Sequence, residues 1–325
     1  MKTVPVIAVI GCGAVADIYY LPILVRRKEI RDRLVLVDSN KSRLVLIAEK
    51  YKINKIYENV KDVVEVADAA IIATPPATHF SISKQFLEAK KSVLCEKPLT
   101  ESFSQAKKLV SKAKINKVHL LVNNTRRLYP SVFAVKKILD TKQIGDVVSI
   151  EFSEGGEFRW PTVSGFYFTG KKGVLLDRGI HIIDIICWWL GRPKVISYID
   201  DSFGGAEAKA DFSFRIGKIN GLVKLNLLLN SPNNFTVIGT KGKIRGDIHG
   251  FNRLSISDDN GREQTINLPC AQQNYSDFVK LLLDNFIGTI LGDCLPLLPV
   301  ETCIESIGVI EECYRKRRRY EMEWV

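Results

Sequence analysis

Gly11-Cys12-Gly13-Ala14-Val15-Ala16 follows the apolar run Val4–Ile10 and leads into a helical pattern. A first glycine permits a tight turn, a second lets the backbone approach a pyrophosphate, and the small Ala16 lets the helix pack closely on the strand. The amides at the helix start, those of Ala14 and Val15 among them, then face the phosphates. Asp38 closes the next apolar run, 22 residues after Ala16, where an acid accepts hydrogen bonds from a ribose. Turn, context and acid together predict a dinucleotide site. Asp38 favours NAD, because its charge repels the extra phosphate of NADP. Ser39 and Arg43 keep NADP open, since both could serve that phosphate; their plainer roles are helix capping and solvated surface.

Thr74-Pro75-Pro76 follows the fourth strand and is expected to border the cofactor, because ligands of such sheets sit beyond the carboxyl ends of the strands. Glu96-Lys97-Pro98 follows the strand Ser92–Cys95. A residue before proline is pushed to extended backbone, so Lys97 is expected to project from the sheet edge toward the nicotinamide. A third group stands far along the chain. His181 lies four residues after Asp177 and three before Asp184, within reach of either carboxylate on a helix. Read unaided, a histidine in so apolar a helix is more often a satisfied core residue.

The elements that must position these groups divide the chain in two. Val4–Ile10, Leu34–Val37, Ala69–Ala73, Ser92–Cys95 and Val118–Val122 read as buried strands, with helices expected near 14–28, 41–51, 78–90 and 102–114. Such alternation predicts a doubly wound parallel sheet, a Rossmann domain over residues 1–122. Ser102 and Gln105 fit a capping box. From 123 to 325 the pattern becomes α+β: helices near 130–141 and 178–190, and strands near 147–152, 195–200, 208–216, 220–229, 235–238 and 253–257. Turns such as Asn233-Asn234 and Asn260-Gly261 join them, which predicts an open, mostly antiparallel mixed sheet. Asp177 is a plausible N-cap for the 178–190 helix, with Gly191 and Pro193 ending it. Helices near 274–287 and 300–318 close the chain, and the last is expected to pack back on the Rossmann domain.

Composition narrows the class of function. The 47 basic against 36 acidic residues give +11, but the cations are scattered apart from Arg315–Arg319, read as a solvated last helical turn. No recognition motif for nucleic acid accompanies the charge. Seven cysteines include no CxxC pair, and the four histidines show no HxxxH spacing, so neither a disulfide framework nor a metal site is expected. The apolar stretches at 174–190 and 281–300 carry Asp177, His181, Asp184, Asp284 and Asp293, which argues against a transmembrane helix. Residues 1–16 imitate a signal peptide, but cleavage there would remove the first strand, so a cytoplasmic protein is expected.

With those motifs in place, the chain resembles the glucose–fructose oxidoreductase and inositol 2-dehydrogenase (Gfo/Idh/MocA) family. The resemblance rests on GCGAVA at 11–16, ATPPATH at 73–79, CEKPL at 95–99, RRLYP at 126–130 and GVLLDRGIHIIDIICWWLG at 173–191. It implies an NAD(P)-dependent dehydrogenase or reductase acting on CH–OH, with sugars, cyclitols or their derivatives, some nucleotide-linked, as substrates. It implies that Lys97, Asp177 and His181 surround the reacting carbon: His181 exchanges the hydroxyl proton, Lys97 stabilises the substrate oxygen, and Asp177 orients hydroxyls or the imidazole. Thr74, Pro75, Pro76, His79, Glu96 and Lys97 are the further cofactor contacts expected. Arg126, Trp160 and Tyr167 are expected to line the substrate pocket, although the aromatics could equally anchor a loop or subunit contact. A homodimer or homotetramer through the second sheet is implied as well. Two alternatives keep the same scaffold: a non-sugar substrate such as a dihydrodiol, or a catalytically silent dinucleotide sensor.

Overall fold

The computed structural model describes residues 3–157, 172–202 and 205–321. They form two units, residues 3–125 with 274–304, and the remainder of the described residues from 126 to 273 with 305–321. The first unit is built on β1 (Ile7–Ile10), β2 (Leu34–Val37), β3 (Ile56–Tyr57), β4 (Ala69–Ile72), β5 (Ser92–Cys95) and β6 (Leu120–Val122). All pairings are parallel, in the order β3-β2-β1-β4-β5-β6. That is the doubly wound dinucleotide-binding order. Strands β1, β2, β4 and β5 are buried at every position, which is why they read as continuous apolar runs rather than alternating ones.

Helices α1 (Lys41–Tyr51), α2 (Pro76–Glu88) and α3 (Phe103–Asn116) connect them. Asn40, not Ser39, caps α1: its side chain accepts from the Arg43 N–H at 3.0 Å. The capping box expected at α3 does not form, since Ser102 bonds to Ser104 and makes no cap bond. The helix expected over 14–28 runs unbroken over 14–24, with a π-helical turn at Ala16–Tyr20, and a separate short turn follows at Lys28–Arg31.

The second unit is one mixed sheet in the order β14-β13-β12-β11-β7-β10-β9-β8-β15. Its strands are β7 (Val147–Gly155), β8 (Lys194–Asp200), β9 (Lys209–Ile216), β10 (Ile219–Asn226), β11 (Asn234–Gly239), β12 (Gly242–Asp247), β13 (Arg253–Asp258), β14 (Glu263–Asn267) and β15 (Arg317–Arg319). Only β7 with β10 and β8 with β15 run parallel; the rest are antiparallel. Helices α4 (Pro130–Asp140) and α5 (Ile180–Leu190) accompany it. Phe152, Trp189 and Phe235 meet with ring centroids 5.3–5.9 Å apart, and the Trp189 indole donates to the Val132 carbonyl at 3.0 Å. A buried indole with its N–H satisfied fixes α4 and α5 on the sheet.

The closing helices divide differently from expectation. Helix α6 (Tyr275–Leu291) belongs to the first unit, where Arg27 reaches Asp284 at 2.7 Å and Tyr19 meets Tyr275 edge-on. Helix α7 (Glu305–Arg315) belongs to the second. The basic run beyond it is not a last helical turn: Arg317–Arg319 pair with β8, and Arg317 bridges buried Asp200 and Glu207 at 2.5 and 3.0 Å. Two buried carboxylates draw the cation in, which sequence spacing could not reveal.

Candidate active site

The glycine turn of the first unit is tightly specified. Gly11 has φ +95°, and a Cβ there would lie 2.7 Å from the Ala73 carbonyl oxygen, so only glycine fits. At Gly13 a Cβ would meet nothing within 4 Å, leaving open space over the helix start. The Cys12 N–H donates to Asp38 at 2.7 Å, and Asp38 accepts a second bond from the Asn40 N–H at 2.8 Å. Arg43 grips the same residue at its other backbone group, with Nε 2.7 Å from the Cys12 carbonyl and Nη2 3.0 Å from Asp17. Burial, then the Asp38 charge, push the Cys12 thiol up to about 12, so it is a packing group, not a nucleophile. Ala14 and Val15 open the helical run, and Ser39 stands exposed beyond β2. An open approach over Gly13, a helix start directly after it and an acid at the end of β2 fit a dinucleotide.

Two turns border that edge of the sheet. In Thr74-Pro75-Pro76, Pro75 is extended and Pro76 is the first residue of α2, where a missing N–H costs nothing. The His79 ring is fully buried; Nδ1 lies 2.7 Å from the Pro98 carbonyl oxygen and Nε2 2.7 Å from that of Thr74. His79 therefore ties the two turns together rather than facing outward. Burial lowers its pKa below the ordinary histidine value, opposed by the two carbonyls and by Glu96 and Glu101.

Glu96 is likewise turned inward. Its carboxylate accepts from Tyr20 Oη, from Asn123 Nδ2 at 2.7 Å and from the Lys97 N–H at 3.1 Å; Thr125 in turn donates to Asn123. Tyr20 belongs to the π-helical turn, and its hydroxyl is pushed well up by burial and by Glu96. Sequence reasoning missed Tyr20, Asn123 and Thr125. The available signal was an acid directly after a buried strand, which demands donors from elsewhere in the chain. Lys97 follows, half-buried, with a cis peptide bond to Pro98.

In the second unit, Asp177 is not an N-cap. It sits inside a π-helical turn, Leu175–Gly179, that begins the run continued by α5. It is half-buried, and His181, one turn later, is 7% exposed. Asp184 is committed elsewhere: Arg127 holds it with two contacts of 2.6 Å, both side chains 2% exposed. Arg126 makes a two-pronged pair with Glu154 at 2.7 and 2.8 Å, and His249 lies 3.6 Å from the same carboxylate. Burial opposes ionisation of Glu154, but Arg126 prevails and holds it below the usual glutamate range. Arg178 reaches the carbonyls of Asn226 and Gly156 at 3.3 and 3.1 Å. Trp160 and Tyr167 lie outside the described residues. Among the described residues no metal-ligating cluster occurs, and no helix is long and apolar enough to cross a membrane.

Comparison with known proteins agrees with these halves. A 255-residue stretch is 25% identical to "Oxidoreductase P35" of Formosa agariphila, covering 73% of this chain and 77% of that protein. Inositol 2-dehydrogenase of Rhizobium meliloti is 29% identical over 137 residues, 41% of each chain. The WlbA dehydrogenase of Bordetella pertussis, solved with NADH and UDP-GlcNAcA, shares the fold with a TM-score of 0.78 and 19% identity, over 95% of this chain and 94% of that one. Residues 6–124 match the oxidoreductase family with an NAD-binding Rossmann fold, and residues 132–245 match the GFO/IDH/MocA C-terminal domain. With both of its halves accounted for, the chain belongs to the Gfo/Idh/MocA family of NAD(P)-binding oxidoreductases.

Proposed function

We propose that this chain is an NAD-dependent dehydrogenase or reductase of a sugar, cyclitol or sugar derivative, with Lys97, Asp177 and His181 as its working groups. The nicotinamide, when bound, supplies a carbon that accepts or gives hydride. His181 takes the proton of the substrate hydroxyl in the oxidative direction and returns it in the other. Lys97 donates to the substrate oxygen and stabilises the negative charge that develops there. Asp177, one turn before His181, orients a neighbouring hydroxyl or the imidazole.

One observation carries the reading: the peptide segment bearing Lys97 is anchored on both sides, by Glu96 in a buried network and by the Pro98 carbonyl on His79, on the unit that holds the glycine turn. Anchoring of that kind serves a group that must be held still. Asp38, already bonded to the turn, supports NAD over NADP. The sugar class is supported by the relationship to inositol 2-dehydrogenase.

The test is turnover of NAD(H) by the full chain over a panel of polyols, sugar acids and nucleotide-linked sugars. Lys97→Ala and His181→Ala are expected to lose about 10²–10⁴-fold in rate on whichever substrate is turned over. If the wild-type protein binds NADH but is as inert as both variants across the panel, the enzymatic reading fails and the sensor reading replaces it.

A further inference from the structure

Asp38 and Arg43 carry opposite expectations from sequence: the acid belongs with the ribose of NAD, and the base could serve the extra phosphate of NADP. The structure joins them through one residue, Cys12. Asp38 holds the Cys12 N–H at 2.7 Å and Arg43 holds the Cys12 carbonyl at 2.7 Å. The acid and the guanidinium therefore hold the two consecutive peptide units that meet at the Cys12 Cα. The guanidinium does not stand there as an open cation. Asp17, in the π-helical turn, accepts from Arg43 Nη2 at 3.0 Å, and the two side chains are 18% and 17% exposed.

Asp17 is itself held from behind. Lys50 donates to it at 2.6 Å and Tyr51 at 2.8 Å, both from the end of α1. Burial works against its ionisation, but the hydrogen bonds from Lys50, Tyr51 and Arg43 prevail and keep its carboxyl below the ordinary aspartate range. Arg43 is thus fixed at one end by its own helix and at the other by a carboxylate that cannot easily swing away. A guanidinium so paired has its charge offset by Asp17 and its Nε and Nη2 donors already committed, and phosphate recognition draws on both charge and donors.

We infer that Asp17 is a specificity-determining residue for the nucleotide: by holding Arg43 on the Cys12 carbonyl, it withholds that cation from a 2′-phosphate. The inference rests on the reading that the glycine turn seats a dinucleotide and that Asp38 meets its ribose. Asp17 acts through Arg43 and touches no cofactor atom in this scheme.

The experiment is direct titration of NADH and NADPH into the full chain, followed by nucleotide fluorescence, for wild type, Asp17→Asn, Arg43→Ala and the double variant. Asp17→Asn keeps the shape of the side chain and removes its charge. The NADPH-to-NADH affinity ratio should rise by about tenfold, the worth of one new hydrogen bond to a charged group. Adding Arg43→Ala should cancel that gain, and Arg43→Ala alone should give none. Asp17→Ser serves as a second variant should the amide disturb folding, with circular dichroism as the check. An unchanged ratio in folded Asp17 variants overturns the proposal. So does a gain that survives Arg43→Ala, because the effect would then be Asp17's own field. Wild-type protein that binds neither nucleotide would instead remove the reading beneath it, a separable outcome.

Discussion

Replacing Gly11 and Gly13 one at a time by alanine separates the folding role of the glycine turn from its binding role. At Gly11 the new Cβ would lie 2.7 Å from the Ala73 oxygen and 2.8 Å from both the Ala73 carbonyl carbon and the Thr74 nitrogen, all backbone atoms that cannot rotate away. The φ of +95° adds strain of about 1–3 kcal/mol for a residue with a side chain. Forcing β4 and its turn aside adds overpacking of about 1–3 kcal/mol. The total, about 2–6 kcal/mol, corresponds to a fall in melting temperature of roughly 5–20 °C for a unit of this size. At Gly13 a Cβ meets nothing within 4 Å, so thermal stability should stay within about 0.5 kcal/mol of wild type. That methyl would fill the open approach to the helix-start amides, and NADH affinity should fall at least tenfold, about 1.4 kcal/mol. Thermal unfolding without ligand and fluorescence titration with NADH measure the two effects. A Gly11→Ala protein as stable as wild type would refute the packing argument. A Gly13→Ala protein that binds NADH normally would show that the pyrophosphate does not lie where the amides point.

Two further outcomes follow from paired charges. Arg127→Met leaves Asp184 buried without its counter-charge, which should cost about 3–5 kcal/mol at neutral pH by urea unfolding. Burial already pushes the Asp184 carboxyl up to about 6 against the pull of Arg127. A carboxyl raised above its unfolded value binds a proton more readily in the fold, so the variant should regain stability as pH falls through that region; a loss that deepens there would contradict the argument. Asp17 has the opposite sign. Its folded value is lowered, so its contribution is present above the ordinary aspartate value, about 3.9, and is lost as pH falls through the lower folded one. Asp17→Asn should flatten that acid limb in a stability-versus-pH series, and an unaltered limb would show that the three donors are not what stabilises the ion.

The first unit was legible because its strands are buried on both faces and so read as uninterrupted apolar runs, and because Gly11, Gly13, Ala16 and Asp38 are local demands that each residue type satisfies alone. Elements of the second sheet with little hydrophobic contrast were missed: β14, Glu263–Asn267, has no buried position. The π-helical turns at Ala16–Tyr20 and Leu175–Gly179 were also invisible, since their residues suit an α-helix equally and the extra residue is imposed by packing. The same limit applies to partners. Arg126 pairs with Glu154, 28 positions later, and nothing in the spacing announces that pairing. Arg317 passed for solvated surface because Asp200 and Glu207 are more than a hundred residues away.

The Glu96-Lys97-Pro98 segment shows how such distant partners act on one local motif. Glu96 is fixed by Tyr20 from the turn after β1 and by Asn123 from the end of β6, while the Pro98 carbonyl is met by His79 from α2. Three connections of the Rossmann unit thus converge on the residues flanking Lys97. A neutral imidazole has one N–H, yet His79 places a nitrogen 2.7 Å from each of two carbonyl oxygens. Both bonds exist together only when the ring is charged, and burial resists that charge. The segment is therefore held by a brace that is complete in the protonated ring and half-made in the neutral one, whereas the Glu96 side rests on donors from Tyr20 and Asn123. Whatever rigidity Lys97 has near neutral pH is owed first to Tyr20 and Asn123, and those two positions matter to the lysine although neither carries any chemistry of its own.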